Sequence, residues 1–316
     1  MKNASHKKGR FVRFLRKAMR QWQLHLLILI PVIYILIFHY WPMYGAQIAF
    51  RNYRARDGIL GSEWVGLQWF EKFFTSYKFK TVFPNTLILS LYSIIATFPL
   101  PIIFALILNA LPGKRIRKFT QTVTYMPHFI SMVVMVSIVN VIFSPINGVY
   151  GNLYRFFGGE GYPADFRALS ESFRHLYVWS GLWQNLGWST IIYTAALSGV
   201  SPEHHEAAMI DGANRFQRII HVDLPAIMPT IAIMLILRFG QVMSIGFEKT
   251  YLMQTTLNLS TSEIISTYVY KVGMGSSRDM SYAAAIGLFN SVINVILLVT
   301  VNWISRKLSH KEVGLF

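Results

Sequence analysis

Polar side chains that can bind a ligand lie inside strongly apolar stretches of this 316-residue chain. Arg238 stands in the apolar run 222–247, and Gln241 follows it by about one helical turn. Guanidinium and amide groups donate hydrogen bonds to polar ligands, and a guanidinium also pairs with a carboxylate. A charge in apolar surroundings is costly unless water or a partner acid reaches it. Because no acid lies near Arg238 in this run, we predict a hydrated cavity around it, with pairing inside a helix bundle as the alternative.

Two other apolar runs, 176–198 and 282–305, contain further polar side chains. Uncharged polar groups inside a membrane form hydrogen bonds between helices or contact a ligand. For each amide we favour bonding between helices, and we keep ligand contact on a path shared with Arg238 as the alternative. The side chains concerned are Gln184, Asn185, Trp188, Asn290 and Asn294.

A stripe of hydroxyl side chains follows one face of the apolar run 84–110. Its members are Thr86, Ser90, Ser93 and Thr97. Small residues allow helices in a membrane to approach closely, so we predict that this stripe packs between helices.

A compact polar segment, EHHEAAMIDGANRFQRII, begins at Glu203 between two apolar runs. Ser201 is a good N-cap, and Pro202 suits the first helical position. Glu203 and Glu206 place acids where the helix dipole favours them. Gly212 tolerates the left-handed conformation that ends many helices. The segment therefore predicts a short helix, a turn at Gly212 and a second helix at an angle to the first.

We call residues 201–225 the elbow, and we expect it to dock on a partner protein. Its alanines allow another surface to approach closely, its charged residues offer ionic contacts, and its last residues return the chain to the bilayer. The adjacent His204 and His205 point in different directions on a helix, so they suit docking or plain surface better than a zinc pair.

Composition identifies the chain as an integral membrane protein. Hydrophobic residues make up 53% of it and charged residues 14%, and its mean hydropathy is +0.39; soluble domains are less apolar. The net charge of +16 does not indicate nucleic-acid binding, because the basic residues flank apolar runs and form no single patch. The lack of cysteine excludes disulfides, thiolate metal sites and cysteine nucleophiles.

About six windows reach the roughly 20 apolar residues that a spanning helix needs. They lie at 24–41, 84–110, 122–144, 176–198, 222–247 and 282–305. Lysine and arginine are retained on the cytoplasmic side of short loops. Eight lysine or arginine residues precede the first window, four lie at 111–121, two lie in the elbow and three follow the last window. The longer loops on the opposite side, 42–83, 145–175 and 248–281, hold six, three and three, together with nine acidic residues. We therefore predict that both termini and the elbow are cytoplasmic.

The loops 42–83, 145–175 and 248–281 then face outward. The sequence WVGLQWFEKFF at 64–74 places several aromatic side chains on one helical face. It predicts a short helix that lies at the membrane surface, or that packs as an ordinary outer cap.

The elbow resembles the EAA signature of binding-protein-dependent ABC importer permeases, E-A-A-x3-G-x9-I-x-L-P. Glu206, Ala207, Ala208 and Gly212 match it, as does the sequence VDLP that starts at Val222, and valine in place of isoleucine is the one departure. The elements EAAMIDGA and LPAIMP resemble the carbohydrate-uptake branch. The sequences YMPHFIS and WPMYG are similar to permeases for oligosaccharides from complex polysaccharides, including aldouronate and rhamnogalacturonan systems.

The resemblance implies an all-α integral membrane protein with six transmembrane helices and the type I ABC importer permease fold. It also implies a cell-membrane assembly with a second, homologous permease as a heterodimer, two cytoplasmic ATPase subunits and an extracytoplasmic solute-binding protein that delivers an oligosaccharide. The elbow would be the coupling helix that docks on an ATPase subunit. The residues that this assigns to ATPase coupling are Glu203, Glu206, Ala207, Ala208, Asp211, Gly212, Arg215, Leu224 and Pro225. No cofactor is expected on this chain, since ATP and Mg would be bound by the partner ATPase.

The expected organisation follows from the windows and from this resemblance. It comprises a basic cytoplasmic tail (1–23), a first transmembrane helix (24–41), an extracytoplasmic loop (42–83), a transmembrane core (84–305) that contains the elbow (201–225), and a second cytoplasmic tail (306–316).

The chain itself is not expected to be an enzyme. It contains no Walker A pattern, because its one Gly-Lys pair, Gly113-Lys114, lacks both the earlier glycine and the following hydroxyl. The alternative function is a stand-alone secondary transporter or channel, which would explain the helices and Arg238 but not the elbow.

Overall fold

A computed structural model describes residues 20–275 and 278–308 of the chain. It divides into two compact units, Met1–Trp69 and Phe70–Phe316. The predicted tails 1–23 and 306–316 lie mostly outside the described residues. The predicted side of the membrane for each terminus therefore stays a prediction.

The first unit begins with a helical stretch, Trp22–Phe50, that is long and apolar enough to cross a membrane. It includes the predicted window 24–41. Helix α1 (Trp22–Ile35) continues through a π-helical turn (Leu36–Tyr40), α2 (Trp41–Met43) and a 3₁₀ helix (Tyr44–Phe50). The π-helical turn lies directly before Pro42, which has no N–H to donate to the preceding turn.

A small β-hairpin follows, which the all-α prediction did not include. Strand β1 (Arg51–Arg54) pairs in antiparallel orientation with β2 (Ser62–Trp64), and the short helix α3 (Gly58–Gly61) lies between them. The Ser62 hydroxyl donates to the Gly58 carbonyl at 2.6 Å and so ties the connection to the second strand.

Only part of the helix predicted at 64–74 is present. Trp64 belongs to β2, and helix α4 spans Gln68–Thr75. Its buried side chain is Phe73, whereas Phe74 is 45% exposed. The helix therefore begins later than predicted, because Trp64 pairs as part of a strand.

Helices make up the second unit. Their bounds are α5 Tyr77–Thr97, α6 Pro99–Ala110, α7 Lys114–Tyr125, α8 Met132–Ile142, α9 Val149–Phe156, α10 Ser170–Ser198, α11 Pro202–Ile210, α12 Arg215–Arg218, α13 Leu224–Phe239, α14 Phe247–Met253, α15 Leu259–Ser262, α16 Ile265–Met274 and α17 Met280–Leu308.

Long apolar helices occur at the predicted windows. Besides the stretch in the first unit, Tyr77–Ala110, Arg215–Phe239 and Met280–Ile304 are long and apolar enough to cross a membrane. Helix α10 is also long, at 29 residues, but its polar stripe keeps it from reaching the apolarity of the others. The number of spans, predicted as six, stays a prediction.

The predicted window 122–144 is not one straight helix. The segments Lys114–Phe129 and Met132–Ile142 meet at an angle of 99°. A 3₁₀ turn that contains Pro127 ends the first segment, and the Ser131 hydroxyl caps the second by accepting from the Val134 N–H. Helix α10 also stabilises the bend between the two segments, because the Gln184 amide donates to the Ile130 carbonyl at 2.8 Å.

Helix α10 is the centre of the second unit. It packs against α5, α6, α7 and α13. One apolar cluster surrounds its first half and includes Phe173 and Tyr177. A second cluster surrounds its last turns and includes Tyr193 and Leu197. The polar stripe of α10 lies between these two clusters.

Candidate functional site: a polar cavity and a helical elbow

A cavity of about 630 Å³ lies in the second unit, beside the polar stripe of α10. Helices α5 and α10, the end of α13, the segment 241–246 and the start of α14 supply its walls. The polar and charged side chains that line it are Ser90, Ser93, Thr97, Tyr177, Gln184, Asn185, Trp188, Ser189, Arg238, Gln241, Ser244, Glu248 and Lys249.

Arg238 lies in the last turn of α13 and lines this cavity. Its side chain is exposed. In the part of the chain that the structure describes, no carboxylate lies within the 4.0 Å that defines an ion pair with it. Near the C-terminal end of a helix, its charge is also stabilised by the helix dipole. Arg238 therefore faces an open polar space and has no acidic partner among the described residues.

Helix α13 ends at Phe239, and residues 240–246 form an irregular connection that contains the 3₁₀ turn Val242–Ser244. Irregular backbone at membrane depth is tolerated where it is buried in protein or lines a polar cavity. Gln241, predicted to continue the helical face of Arg238, instead follows the end of the helix, yet it still lines the cavity.

Asn294 holds this connection in place from α17. Its carbonyl oxygen accepts from the Met243 N–H at 2.9 Å, and its amide donates to the Ser244 hydroxyl at 2.7 Å. On the other side, the Ser90 hydroxyl donates to the Val242 carbonyl. Asn290 also lies on α17, with its carbonyl oxygen buried and unpaired among the described residues. Neither asparagine lines the cavity, although both were candidates for the substrate path.

Lys249 is a second cation at the cavity, and it was not among the residues predicted from the sequence. Its ammonium group donates to the Tyr177 carbonyl at 2.6 Å and lies 4.6 Å from the centre of the Tyr177 ring. The residue is 5% exposed, and burial lowers the pKa of Lys249 to about 7. In the sequence, Lys249 lies just after an apolar run. An ordinary lysine in a loop has the same sequence context, so the sequence alone did not distinguish the two.

The polar stripe on α10, formed by Gln184, Asn185 and Trp188, stabilises the fold and also lines the cavity. Asn185 donates to the Gly181 carbonyl, and its own carbonyl lies 3.0 Å from His128 Nδ1. Trp188 stacks on the His128 ring with a centroid distance of 4.3 Å. Gln184 is 4% exposed, and its carbonyl oxygen has no hydrogen-bond partner among the described residues. That oxygen is buried, although other atoms of the residue line the cavity.

The hydroxyl stripe on α5 was predicted to pack between helices, and the structure corrects this for Ser93 and Thr97, whereas Ser90 is buried and bonded to the Val242 carbonyl as well as lining the cavity. Ser90, Ser93 and Thr97 line the cavity. Thr86 alone is fully buried; its hydroxyl donates to the Val82 carbonyl at 2.6 Å and accepts from the Ile265 N–H at 2.9 Å. Small hydroxyl side chains occur at the same spacing whether a helix faces another helix or water.

The elbow has the geometry that its residues predict. The Ser201 hydroxyl caps α11 by accepting from the Glu203 N–H at 3.3 Å, and Pro202 is the first helical residue. Helix α11 ends at Ile210, and Gly212 adopts φ +80°. Asn214 and Gln217 then form a reciprocal capping box that starts α12.

The elbow presents large apolar side chains outward. Ile210 is 86% exposed, Phe216 69% and Met209 51%, and the predicted docking residues Glu206 and Ala207 are exposed too. Clustered exposed apolar side chains mark surfaces that contact other proteins.

His205 faces inward, contrary to the prediction of a docking or surface role. Its Nε2 lies 3.2 Å from Asp223 Oδ1, and Asn109 donates to the same oxygen at 3.3 Å. Asp223 is 3% exposed. These contacts tie the elbow to the ends of α6 and α13. Among the described residues, no group of three His, Asp or Glu side chains could hold a metal ion.

Comparison with known proteins identifies the family. Residues 98–310 match the family described as binding-protein-dependent transport system inner membrane component. The chain is 41% identical over 307 residues to the polygalacturonan/rhamnogalacturonan transport system permease protein YteP of Bacillus subtilis (strain 168), and the match covers 97% of this chain and 95% of that protein.

Solved structures agree in fold. The crystal structure of a bacterial ABC transporter involved in the import of the acidic polysaccharide alginate contains a chain with a TM-score of 0.84 and 36% identity, over 93% of this chain and 99% of that chain. In the bacterial alginate ABC transporter in complex with an alginate pentasaccharide-bound periplasmic protein, the matching chain has a TM-score of 0.85 and 35% identity, over 95% and 99% of the two chains.

The predicted all-α membrane fold and ABC importer class are confirmed, and a stand-alone transporter or channel is set aside. The chain is not an enzyme, because ATP hydrolysis in these importers belongs to a separate subunit. Its polar cavity and its EAA elbow are parts of a bacterial multi-pass membrane protein that belongs to the binding-protein-dependent transport system inner membrane components, the permease subunits of ABC importers.

Proposed function

We propose that this permease carries oligosaccharides that are released from complex acidic polysaccharides and bear uronate carboxylates. The observation that supports this most is the presence of two cations, Arg238 and Lys249, at the polar cavity of about 630 Å³. Arg238 has no ion pair among the described residues and so offers a guanidinium to a carboxylate. Glu248 is the one acid that lines the same cavity.

The other lining groups suit a sugar. Hydroxyl groups of α5 and the exposed amide of Gln241 supply donors and acceptors for sugar hydroxyls. Trp188 is 46% exposed and supplies an aromatic face. The named relatives are consistent with this class, since one transports polygalacturonan or rhamnogalacturonan and the other imports alginate.

We further propose the assembly in which the chain works. A second, homologous permease forms a heterodimer with it, two ATPase subunits bind ATP and Mg, and an extracytoplasmic binding protein delivers the sugar, as a periplasmic protein does in the alginate transporter complex. The elbow docks on an ATPase subunit through its exposed apolar side chains and acids. Closure of the ATPase pair then tilts the permeases between inward-facing and outward-facing states.

Replacement of Arg238 by methionine tests the substrate class. In a reconstituted complex, Arg238→Met is expected to lower uptake of an oligogalacturonate by about 10–100-fold, because a charge-assisted hydrogen bond is lost. A neutral oligosaccharide of the same length serves as the control substrate and is expected to change much less. Arg238→Lys is the matched variant and should retain part of the uptake.

Assembly and basal ATPase activity separate the outcomes. Both are expected to be unchanged in Arg238→Met. Unaltered oligogalacturonate uptake by the assembled variant would remove Arg238 from the substrate path. Failure to assemble would instead favour the alternative, pairing of Arg238 inside the bundle.

A further inference from the structure

Three aromatic side chains meet next to the cavity. Phe247 and Tyr251 lie on α14, and Tyr270 lies on α16. Their ring centres are 5.5 Å apart for Phe247 and Tyr251, 5.1 Å for Phe247 and Tyr270, and 5.3 Å for Tyr251 and Tyr270. We call these three residues the aromatic triad.

The triad is compact and yet open to its surroundings. Phe247 is 36% exposed, Tyr251 43% and Tyr270 42%, so a large part of each ring is accessible although each ring touches the other two. Helices α14 and α16 pack together. Because their packing fixes the triad, a ligand that binds there meets rings that are already positioned.

The triad is continuous with the cavity. Phe247 lines the cavity as well as belonging to the triad, and the next two residues, Glu248 and Lys249, line it too. Phe247 therefore connects the cavity to the rings of Tyr251 and Tyr270.

The chemistry of the triad fits a sugar chain. The faces of aromatic rings carry partial negative charge and attract polarised hydrogens, such as the C–H groups on the face of a pyranose. The two tyrosine hydroxyls add donors and acceptors at the ring edges for the sugar hydroxyls. A purely apolar partner would leave those hydroxyls unsatisfied.

We propose that the aromatic triad is an extension subsite that binds the sugar units of a long oligosaccharide that do not fit in the cavity. This proposal rests on the proposed function, because the occupant is the transported oligosaccharide. Short substrates fill the cavity alone. Long substrates also stack on the triad, so the triad sets the preference for chain length.

The test compares substrate length in the reconstituted complex. Tyr251→Ala with Tyr270→Ala is expected to raise the KM for a hexagalacturonate about tenfold and to leave that for a digalacturonate nearly unchanged, since only the long chain loses its stacking contacts. The double variant Tyr251→Phe with Tyr270→Phe keeps the rings and should retain most of the affinity. Tyr77→Ala, at a tyrosine that is 78% exposed and outside the triad, should affect neither substrate.

Each other outcome overturns the proposal. Equal effects on the two lengths would mean that the triad does not distinguish chain length. No effect on either would assign the tyrosines to the membrane–water interface, and loss of the second permease on purification would assign them to a protein interface. If the wild-type complex transports neither galacturonate, the proposed substrate class fails, and neutral oligosaccharides of two and six units then test the triad, because stacking needs no charge.

Discussion

Positive charge at the cavity comes from two residues with different chemistry, Arg238 and Lys249. Arg238 offers a planar guanidinium that can pair with a carboxylate through two hydrogen bonds. Lys249 is different, because its pKa of about 7 lies within the range of pH found in cells and in their surroundings. The positive charge that Lys249 offers to a substrate therefore changes with pH.

The first prediction concerns this pH dependence. A lysine is charged below its pKa and neutral above it, so Lys249 attracts a carboxylate at pH 6 and no longer does so at pH 8. The KM for an oligogalacturonate is expected to rise about threefold to tenfold between these pH values. Lys249→Met should remove the rise, whereas Lys80→Met, at an exposed lysine that does not line the cavity, should preserve it.

Uptake of a neutral oligosaccharide provides the comparison for pH effects on the ATPase and on the binding protein. An identical pH profile in the wild type and in Lys249→Met would show that the lysine does not act on the substrate.

The sequence predicted Arg238 as a cavity residue because a lone charge in an apolar run requires either water or a partner acid, and the run offers no acid at that depth. It did not predict Lys249, since that lysine falls where a loop was expected and its environment comes from Tyr177 on another helix. The spacing of the α5 hydroxyls also led to a wrong assignment for Ser93 and Thr97. Local spacing shows which helical face a residue occupies, but not whether a helix or a cavity lies opposite.

At the scale of elements, the elbow followed from local signals alone. Ser201, Pro202 and Gly212 each act within a few residues of themselves, and each adopts the predicted role. The break at 130–131 and the connection 240–246 did not follow, because they are stabilised from a distance by side chains of α10 and α17. Preferences of single residues for turns and caps do not predict contacts between residues that are distant in the sequence.

The second prediction concerns the turn of the elbow. Gly212 has φ +80°, and nothing lies within 4 Å of the position that a Cβ would occupy. Gly212→Val should therefore act through backbone strain of about 1–2 kcal/mol and not through a clash. We expect the permease pair to assemble, but ATPase retention on purification and uptake to fall several-fold.

Gly212→Asn is the matched variant, because asparagine tolerates the left-handed conformation better than valine. It should keep most of the ATPase and of the uptake. If Gly212→Val retains both at the wild-type level, the shape of this turn does not matter for docking.

At the scale of the whole molecule, the charge distribution predicts the topology. The basic residues cluster before the first span, at the start of α7 and in the elbow, which are the places that the positive-inside rule assigns to the cytoplasm. The elbow must lie on that side to reach an ATPase. The same predicted orientation puts the aromatic triad on the outer side, where a sugar would arrive.

The third prediction tests this orientation with a single introduced thiol. The chain has no cysteine, so Asn214→Cys would provide its one thiol, and residue 214 is exposed. A membrane-impermeant maleimide should label it in inside-out vesicles and not in intact cells. Tyr77→Cys, at the other expected side, should give the reverse pattern. Labelling of position 214 from outside intact cells would contradict the topology.

The irregular connection 240–246 has a consequence for how such permeases diverge. The contacts that hold its backbone come from Asn294 and Ser90, whereas Gln241 and Ile245 of the connection line the cavity. Ser90 also lines the cavity, but Asn294 does not, so the shape is maintained in part by a residue that lies away from the cavity. Mutations at Gln241 and Ile245 can accumulate without unfolding the connection, so a duplicated gene can acquire a new sugar preference while its product stays stable.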